Sequence, residues 1–242
     1  MQRDTVTTVS HPAGRRAVGH PAAHPIVAVV RTIGTTALVA YAVVASVLIV
    51  SGLALVHLGA FHAALRWDDH VNVWAVHQRT PWMTRASGWF TGLANTMGIV
   101  VVATLVTVVL LVRHWGRRAL LLLVGLPLEL VSFLTANYLV RRPRPNVHHL
   151  GSTPTTFSWP SGHVAATFVL YGGIALFIAM ATRNRLARIS SWLVAIVLTF
   201  GVAASRVYRG DHHALDVLAG LVLGIVALAA AHLAVRRAEE VS

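Results

Sequence analysis

The sequence has 242 residues, of which 56% are hydrophobic and only 12% are charged, and it contains no cysteine. A soluble domain of this length rarely has so few charges, and without cysteine neither disulfides nor thiolate metal sites can form. All 20 residues of the Lys and Arg class are arginine, and with eight acidic residues they give a formal net charge of +12. They lie at the ends of apolar segments rather than in one patch, which argues against nucleic-acid binding.

Residues 1–31 are rich in Pro, His, Gly, Thr and Arg without helical periodicity, and we expect a mobile cytoplasmic N-terminal tail there. Apolar segments long enough to cross a bilayer then recur along the chain. We therefore predict an all-α integral membrane bundle in one domain, 32–237, followed by a short cytoplasmic tail, 238–242. The six predicted transmembrane helices, of which the fifth is the shortest, are 33–58, 93–112, 119–140, 164–181, 189–204 and 214–235.

Residues 60–90 separate the first two predicted transmembrane helices and contain four tryptophans. Tryptophan prefers the membrane–water interface, and Val71, Trp74 and Gln78 fit one helical stripe. This pattern predicts a short interfacial helix on the outer surface, with Pro81 ending it.

The arginines also predict the orientation of the chain, because cytoplasmic loops carry an excess of positive residues. If all six segments cross the bilayer, twelve arginines fall on one side, which places both termini in the cytoplasm. They are Arg3, Arg15, Arg16, Arg31, Arg113, Arg117, Arg118, Arg183, Arg185, Arg188, Arg236 and Arg237. Five of the other eight lie in or beside three polar motifs, which are then extracytoplasmic.

The three motifs follow one another in chain order, each at the end of a predicted helix. They are Arg142-Pro143-Arg144-Pro145, Pro160-Ser161-Gly162-His163, and the segment from Ser205-Arg206 through His212 to Asp216. The guanidinium group of arginine donates in a fixed fork that suits phosphate oxygens. A His and an Asp four residues apart lie on one helix face. Together the motifs predict one outer pocket that binds phosphate and offers two histidines for chemistry.

These segments resemble the signature of the type 2 phosphatidic acid phosphatase family (PAP2, the lipid phosphate phosphatases). That signature is Lys-x6-Arg-Pro, then Pro-Ser-Gly-His, then Ser-Arg-x5-His-x3-Asp. The second and third parts match at every specified position. The first matches only at Arg144-Pro145, because Asn137 occupies the lysine position.

The resemblance implies a membrane phosphatase that hydrolyses a lipid phosphate or diphosphate, such as phosphatidic acid, phosphatidylglycerol phosphate or a polyprenyl diphosphate. It implies that His212 is the nucleophile and forms a phosphohistidine, that Asp216 orients it, and that His163 is the general acid. The phosphate ligands carried over by the match are Arg144, Ser161, Gly162, Arg206 and, at the altered position, Asn137. No cofactor and no metal are expected.

Other polar residues receive different expectations. We expect Arg141, Arg142 and Arg209 to meet lipid headgroups, and we assign His213 and Asp211 no catalytic role. Glu129, in the third predicted helix, is either a packing residue, a partner for an arginine or a polar lining of the pocket. Asn137 carries no charge, and Arg141, four residues later, is a candidate to supply one.

Two alternatives remain open from the sequence, and a third, a metal site, is not favoured. The same phosphohistidine could pass its phosphoryl group to an acceptor alcohol, which would make the protein a phosphotransferase. A catalytically weak membrane binding or transport protein could have kept the pocket and lost the lysine. A metal could use His163, His212, His213 and Asp216, although the neighbouring arginines would repel a cation. Haloperoxidases share the phosphate-site pattern but are soluble, whereas this composition is not.

Overall fold

A computed structural model of the chain describes residues 25–151 and 155–241, so most of the predicted tail over residues 1–31 lies outside it. The described residues form helices joined by short connections, apart from one long loop between Val140 and Gly162. The helices are α1 (Pro25–His57), α2 (His62–His77), α3 (Pro81–Leu93), α4 (Thr96–Val112), α5 (Gly116–Val140), α6 (Gly162–Thr167), α7 (Gly173–Ala181), α8 (Arg185–Tyr208) and α9 (Ala214–Glu240). A π-helical turn, Phe168–Gly172, joins α6 and α7 into one continuous helix.

Five of these helices are long and apolar enough to cross a membrane: α1, α5, the joined α6–α7, α8 and α9. The pair α3–α4 gives a sixth span if its two helices, bent by 51° at their junction, are taken together. Large apolar side chains such as Leu38, Val50, Leu105 and Leu193 are more than half exposed on the outside of the bundle, as expected of a surface that meets lipid. The predicted all-α membrane bundle is confirmed.

Several helix ends differ from the prediction. α1 begins at Pro25 rather than at 33, because the apolar run that starts at Ile26 continues the helix and Arg31 is accommodated within it. α8 begins at Arg185, where the Asn184 side chain accepts from the amides of Leu186 and Ala187 at 2.9 and 3.2 Å. At its other end α8 continues to Tyr208.

α8 is therefore a full-length span, not the short fifth helix that the apolar pattern predicted. Ser205 and Arg206 lie in its last turn, whereas the sequence placed them in a loop. The apolar run in the sequence ends before the helix does, because these two polar residues are buried against protein rather than exposed to lipid.

A short helix is present where the tryptophan pattern predicted one: it is α2, which packs against α8 and α9. Pro81 does not end it. α2 ends at His77, and Pro81 instead begins α3, a position where its missing N–H removes no helical hydrogen bond. Thr80 caps α3 by accepting from the amide of Met83 at 3.4 Å.

α9 is the central helix and packs against α1, α5 and α6. Close contact with α6 depends on two glycines one turn apart. A Cβ at Gly220 would overlap the carbonyl oxygen of Ser161, and one at Gly224 would lie 2.8 Å from the carbonyl oxygen of Ala165. Small residues at a helix interface let two backbones approach, and here they bring the second and third motifs together.

Candidate active site

One end of the bundle carries all three motifs. The last turns of α5 and α8 and the first turns of α6 and α9 meet there, under the long loop that follows α5. Backbone hydrogen bonds fasten that loop to the helices: Ser158 donates to Arg142 at 2.9 Å, Ser161 to Asp216 at 2.9 Å, and Leu150 to Arg209 at 3.0 Å. The expected convergence of the three segments at one site is therefore present in the fold.

A cavity of about 710 Å³ opens from this end of the bundle. Arg144, Gly162, His163 and His212 line it together, so both candidate catalytic histidines and two candidate phosphate ligands face the same space. From there the cavity continues between α4 and α5, where most of its lining is apolar. A charged head and an apolar chain can thus be held in one continuous site.

His212 is held from two sides. Its Nδ1 lies 2.8 Å from the carbonyl oxygen of Ser158, and because a carbonyl only accepts, Nδ1 carries the proton. The other nitrogen, Nε2, is then left with its lone pair, as a nucleophile requires. Asn72 on α2 donates to the backbone carbonyl of His212 at 3.0 Å and fixes the position of the residue.

Burial lowers the pKa of His212, and the positive charges of Arg206 and Arg144 act in the same direction. The carboxylate of Asp216 opposes this shift without reversing it. The imidazole is accordingly neutral at pH 7, which is the form able to attack phosphorus.

Asp216 does not hold His212 in the way the sequence suggested. Its Oδ2 lies 3.7 Å from His212 Nδ1, beyond hydrogen-bond distance. The same oxygen instead accepts from the Ser158 hydroxyl and from the His213 amide at 2.9 Å. Asp216 therefore acts through the Ser158 segment, whose carbonyl contacts the imidazole. His213, given no role from the sequence, takes part through its amide and through Nδ1, 3.2 Å from Asp216.

Arg142 is not an interfacial arginine, so that expectation was wrong. Its side chain is only 3% exposed, and it bridges two buried carboxylates, Asp216 at 2.5 Å and Asp68 at 2.7 Å. A buried charge is tolerated when it is paired and hydrogen-bonded. Arg142 therefore joins α2, the long loop and the first turn of α9.

Two residues of α2, Asp68 and Asn72, support the site and were missed by the sequence reasoning. Asp68 is fully buried, pairs with Arg142 and also accepts from the amide of Leu215 at 3.1 Å. Asn72 is 1% exposed and holds His212. A signal was available: the two lie four residues apart, on one face of a helix whose Trp67 and Trp74 are exposed.

The two candidate phosphate-binding arginines are held by the protein itself. Arg144 donates to the carbonyl oxygens of Thr156 at 2.9 Å, of Phe157 at 3.1 Å and of Asp211. Arg206 pairs with the carboxylate of Asp211 at 3.1 Å. Its Nε is buried with no hydrogen-bond partner among the described residues. Asp211, which was given no task, therefore positions both arginines.

The second motif begins α6. The Ser161 amide is bonded to the Asp216 carbonyl, while its hydroxyl is buried and lacks a partner in the described parts of the chain. Gly162 lines the cavity and packs against Phe133, whose ring would lie 3.2 Å from an added Cβ. His163 follows on the first turn and faces the cavity.

Asn137 has a task other than the phosphate contact expected of it. Its amide nitrogen donates to the carbonyl oxygens of Phe157 and Trp159 at 2.8 and 2.9 Å, and its oxygen accepts from the Phe157 amide at 3.1 Å. Both of its N–H bonds are thus used, and Asn137 is not among the residues that line the cavity. It clamps the loop that carries Ser158.

Arg141 does not reach back into the site. It ends α5 in the left-handed conformation, with φ of 54°, and its guanidinium lies 4.7 Å from the centre of the exposed Tyr138 ring. This placement fits the interfacial role expected of it rather than a substitute for a lysine charge.

Arg209, also expected at the headgroups, instead donates to Ser87 at 3.3 Å and to the Leu150 carbonyl. It ties α3 and the long loop to the end of α8.

Glu129 is 3% exposed and lines the cavity; no arginine pairs with it in the described residues. Within the described ranges, no group of three or more His, Asp or Glu side chains converges as metal ligands would.

Comparisons with known proteins agree with this geometry. The chain is 26% identical over 183 residues to phosphatidylglycerophosphatase B of Bacillus subtilis, an alignment covering 72% of this chain and 84% of the relative. It is 30% identical over 125 residues to undecaprenyl-diphosphatase of Sulfolobus acidocaldarius, covering 49% and 56%.

A crystal structure of a transmembrane PAP2-type phosphatidylglycerolphosphate phosphatase from Bacillus subtilis superposes with a TM-score of 0.69 at 24% identity. It covers 83% of this chain and 96% of that one, and it shows that the fold is shared. Residues 118–240 match the model of the PAP2 superfamily. They are just over half of the chain and include Asn137 and all three motifs. The chain therefore belongs to the PAP2 superfamily of membrane phosphatases.

Proposed function

We propose that the protein hydrolyses the phosphomonoester or diphosphate of a lipid through a phosphohistidine at His212. The observation that carries this proposal is the single cavity that joins Arg144, His163 and His212 to an apolar cleft between α4 and α5. The relatives act on phosphatidylglycerophosphate and undecaprenyl diphosphate according to their names. These are also lipids with a phosphate head.

The phosphate group is bound by Arg144 and Arg206, with the Ser161 hydroxyl and Gly162 at the start of α6. The unpartnered Arg206 Nε and Ser161 hydroxyl supply two donors without breaking an existing hydrogen bond. Positive groups placed in advance stabilise the charge on the equatorial oxygens of the transition state. They supply within the protein the neutralisation that Mg²⁺ provides in many phosphoryl transfers, and the reaction needs no metal.

In the first step Nε2 of His212 forms a bond to phosphorus while the bond from phosphorus to the leaving oxygen breaks. His163 donates a proton to that oxygen, which leaves as the lipid alcohol or the lipid monophosphate. In the second step a water oxygen attacks phosphorus, and His163 takes its proton. The phosphorus–Nε2 bond breaks, and inorganic phosphate and neutral His212 are restored.

The Ser158 carbonyl holds the proton on Nδ1 throughout, so the cation formed on attack is balanced nearby by Asp216. Asp216 is in turn kept ionised by Arg142. We therefore treat Asp216 as a positioning and electrostatic residue.

The site faces the extracytoplasmic side. Seven arginines of the described chain lie at the opposite end of the bundle: in the connections before α5 and α8, in the first turns of these two helices, or near the end of α9. They are Arg113, Arg118, Arg183, Arg185, Arg188, Arg236 and Arg237. By the positive-inside rule that end is cytoplasmic.

Purified protein in detergent, assayed for released phosphate with phosphatidic acid, phosphatidylglycerol phosphate and a polyprenyl diphosphate, tests the proposal. Release from at least one of these lipids in the presence of EDTA, with an acid-labile, base-stable phosphoenzyme trapped on His212, is the expected result. Failure to release phosphate from any lipid, or release only after zinc or magnesium is restored, would contradict it. Adding an acceptor alcohol to the same assay separates hydrolysis from phosphotransfer.

A further inference from the structure

Glu129 places a carboxyl group inside the apolar part of the cavity. Its side chain is buried at 3% exposure and lines the cleft between α4 and α5. Within the described residues it makes neither a hydrogen bond nor an ion pair, while its neighbours Leu126 and Leu130 on the same lining are apolar. Burying a polar group without a partner is costly, and packing alone would be served better by an aliphatic side chain.

The depth of Glu129 is fixed by the helix that carries it. Glu129, Phe133 and Asn137 follow one another at four-residue intervals on one face of α5, and the Phe133 ring lies against Gly162. With a rise of 1.5 Å per residue, Glu129 lies about 6 Å along α5 from Phe133. The carboxyl group is therefore one helical turn below the level of Gly162 and His163, where the phosphate binds.

The distance matches a feature of one class of lipid. In a diacylglycerol phosphate the nearer ester carbonyl carbons are separated from phosphorus by five or more covalent bonds, which span about 6 Å when extended. At the same depth a polyprenyl phosphate offers only hydrocarbon. A neutral carboxyl group donates a hydrogen bond to an ester carbonyl, whereas its ionised form would be costly here because no cation faces it.

We propose that Glu129 donates a hydrogen bond to an ester carbonyl of the substrate and so selects acylglycerol phosphates over polyprenyl phosphates. The inference rests on the proposed function, since it takes the phosphate to lie at Arg144, His163 and His212. Glu129 is a specificity-determining residue in the lipid-binding cleft and takes no part in the chemical steps.

The experiment compares three substrates of the purified protein in detergent: a diacyl phosphatidic acid, its dialkyl ether analogue with the same chains, and a polyprenyl monophosphate. The wild-type protein is expected to prefer the ester over the ether by kcat/KM. Glu129→Met is expected to lower that preference about fivefold to tenfold, the size of one hydrogen bond. Glu129→Gln is expected to keep most of it, because its amide also donates. The control is Leu134→Met on the lipid-facing side of α5, half exposed and outside the cavity lining.

The ratio of two substrates within one variant does not depend on the fraction of folded protein, so a partly unfolded variant still gives an answer. Equal losses on ester and ether in Glu129→Met, or a wild-type protein that does not distinguish them, would overturn the role of Glu129 and leave the proposed function intact. A wild-type protein that releases phosphate from a polyprenyl diphosphate but from none of the three lipids would overturn the inference alone. One that releases phosphate from none of the three lipids and from no polyprenyl diphosphate would overturn the proposed function, and the inference with it.

Discussion

The site has two halves that differ in what they contact. His163, His212 and Arg144 line the cavity, where a substrate would meet them. Asp68, Asn72, Arg142 and Ser158 are buried and do not line that cavity. Their side chains are hydrogen-bonded to other residues of the site. The residues of the first half belong to the three sequence motifs, whereas those of the second half lie on α2 and the long loop. The few residues that face a substrate therefore depend on a larger set for their positions.

The largest effect is expected at the cavity. His212→Ala removes the group that we propose as the nucleophile, and phosphate release should fall by a factor of at least about 10³. The trapped phosphoenzyme should disappear with it. His213→Ala is the adjacent comparison and should keep measurable turnover, since its side chain contacts Asp216 and Asp69 rather than the cavity. Near-normal release by His212→Ala would contradict the assignment of the nucleophile.

Among the buried residues that support the site, Asp68 gives the most direct test. Asp68→Asn keeps the size of the side chain but removes the charge that faces Arg142 at 2.7 Å. A hydrogen bond to a charged group contributes about 1.5–3 kcal/mol, so kcat/KM should fall roughly 10- to 100-fold and the melting temperature should drop. The matched control is Asp69→Asn, whose side chain is 67% exposed and which should change little. Equal effects in both variants would remove the distinction between the buried and the exposed carboxylate.

The clamp on the loop is tested by Asn137→Ala. It deletes three hydrogen bonds to the backbone of Phe157 and Trp159 and should lower turnover about tenfold, since each bond contributes about 1 kcal/mol and part of the loop can relax. Asn137→Lys should not raise activity above that of the wild-type protein, because lysine cannot accept the hydrogen bond from the Phe157 amide. A lysine variant with a lower Michaelis constant for a lipid monophosphate would show that position 137 does reach the phosphate.

The pH dependence of kcat/KM tests whether the charge of Arg144 acts on His212 in the cavity. His212 must be neutral to attack, and because burial lowers its pKa, activity should persist below pH 6.5, the ordinary value for histidine. Arg144→Gln removes a positive charge that lowers the pKa of His212, so that pKa should rise. The acid limb of kcat/KM should then move to higher pH, on top of a lower maximum. Measuring both proteins with the same lipid cancels the titration of the substrate, and an unshifted limb would show that His212 does not set it.

The smallest effect is expected from Ser158→Ala. The substitution removes the hydroxyl that donates to Asp216 but leaves the carbonyl that accepts from His212 Nδ1. Turnover should fall by less than about tenfold, the size of one hydrogen bond. A loss as large as that expected of Asp68→Asn would mean that the hydroxyl, and not the backbone, orients the imidazole.

The fold and the motif residues that line the cavity were predictable because each has a local signature. Long apolar runs identify spans, and the motifs at their ends identify His163, His212 and Arg144. The roles of Arg142 and Asp68 were not predictable in the same way, since their partners are 74 residues apart in sequence. An arginine beside a span looks interfacial until the carboxylate that buries it is known. The bend between α3 and α4 is set by the capping of Asn95 on Gly98, a feature that hydropathy does not register.

The glycine at position 220 has a further consequence. The backbone carbonyl of Ser161 lies directly against it, so the absence of a side chain at this position lets the helix that bears His163 approach the helix that follows His212. A methyl group there would push α6 away from α9 and displace His163 relative to His212, although no residue of the three motifs would have been changed. The distance between the two histidines therefore depends on the absence of a side chain at position 220.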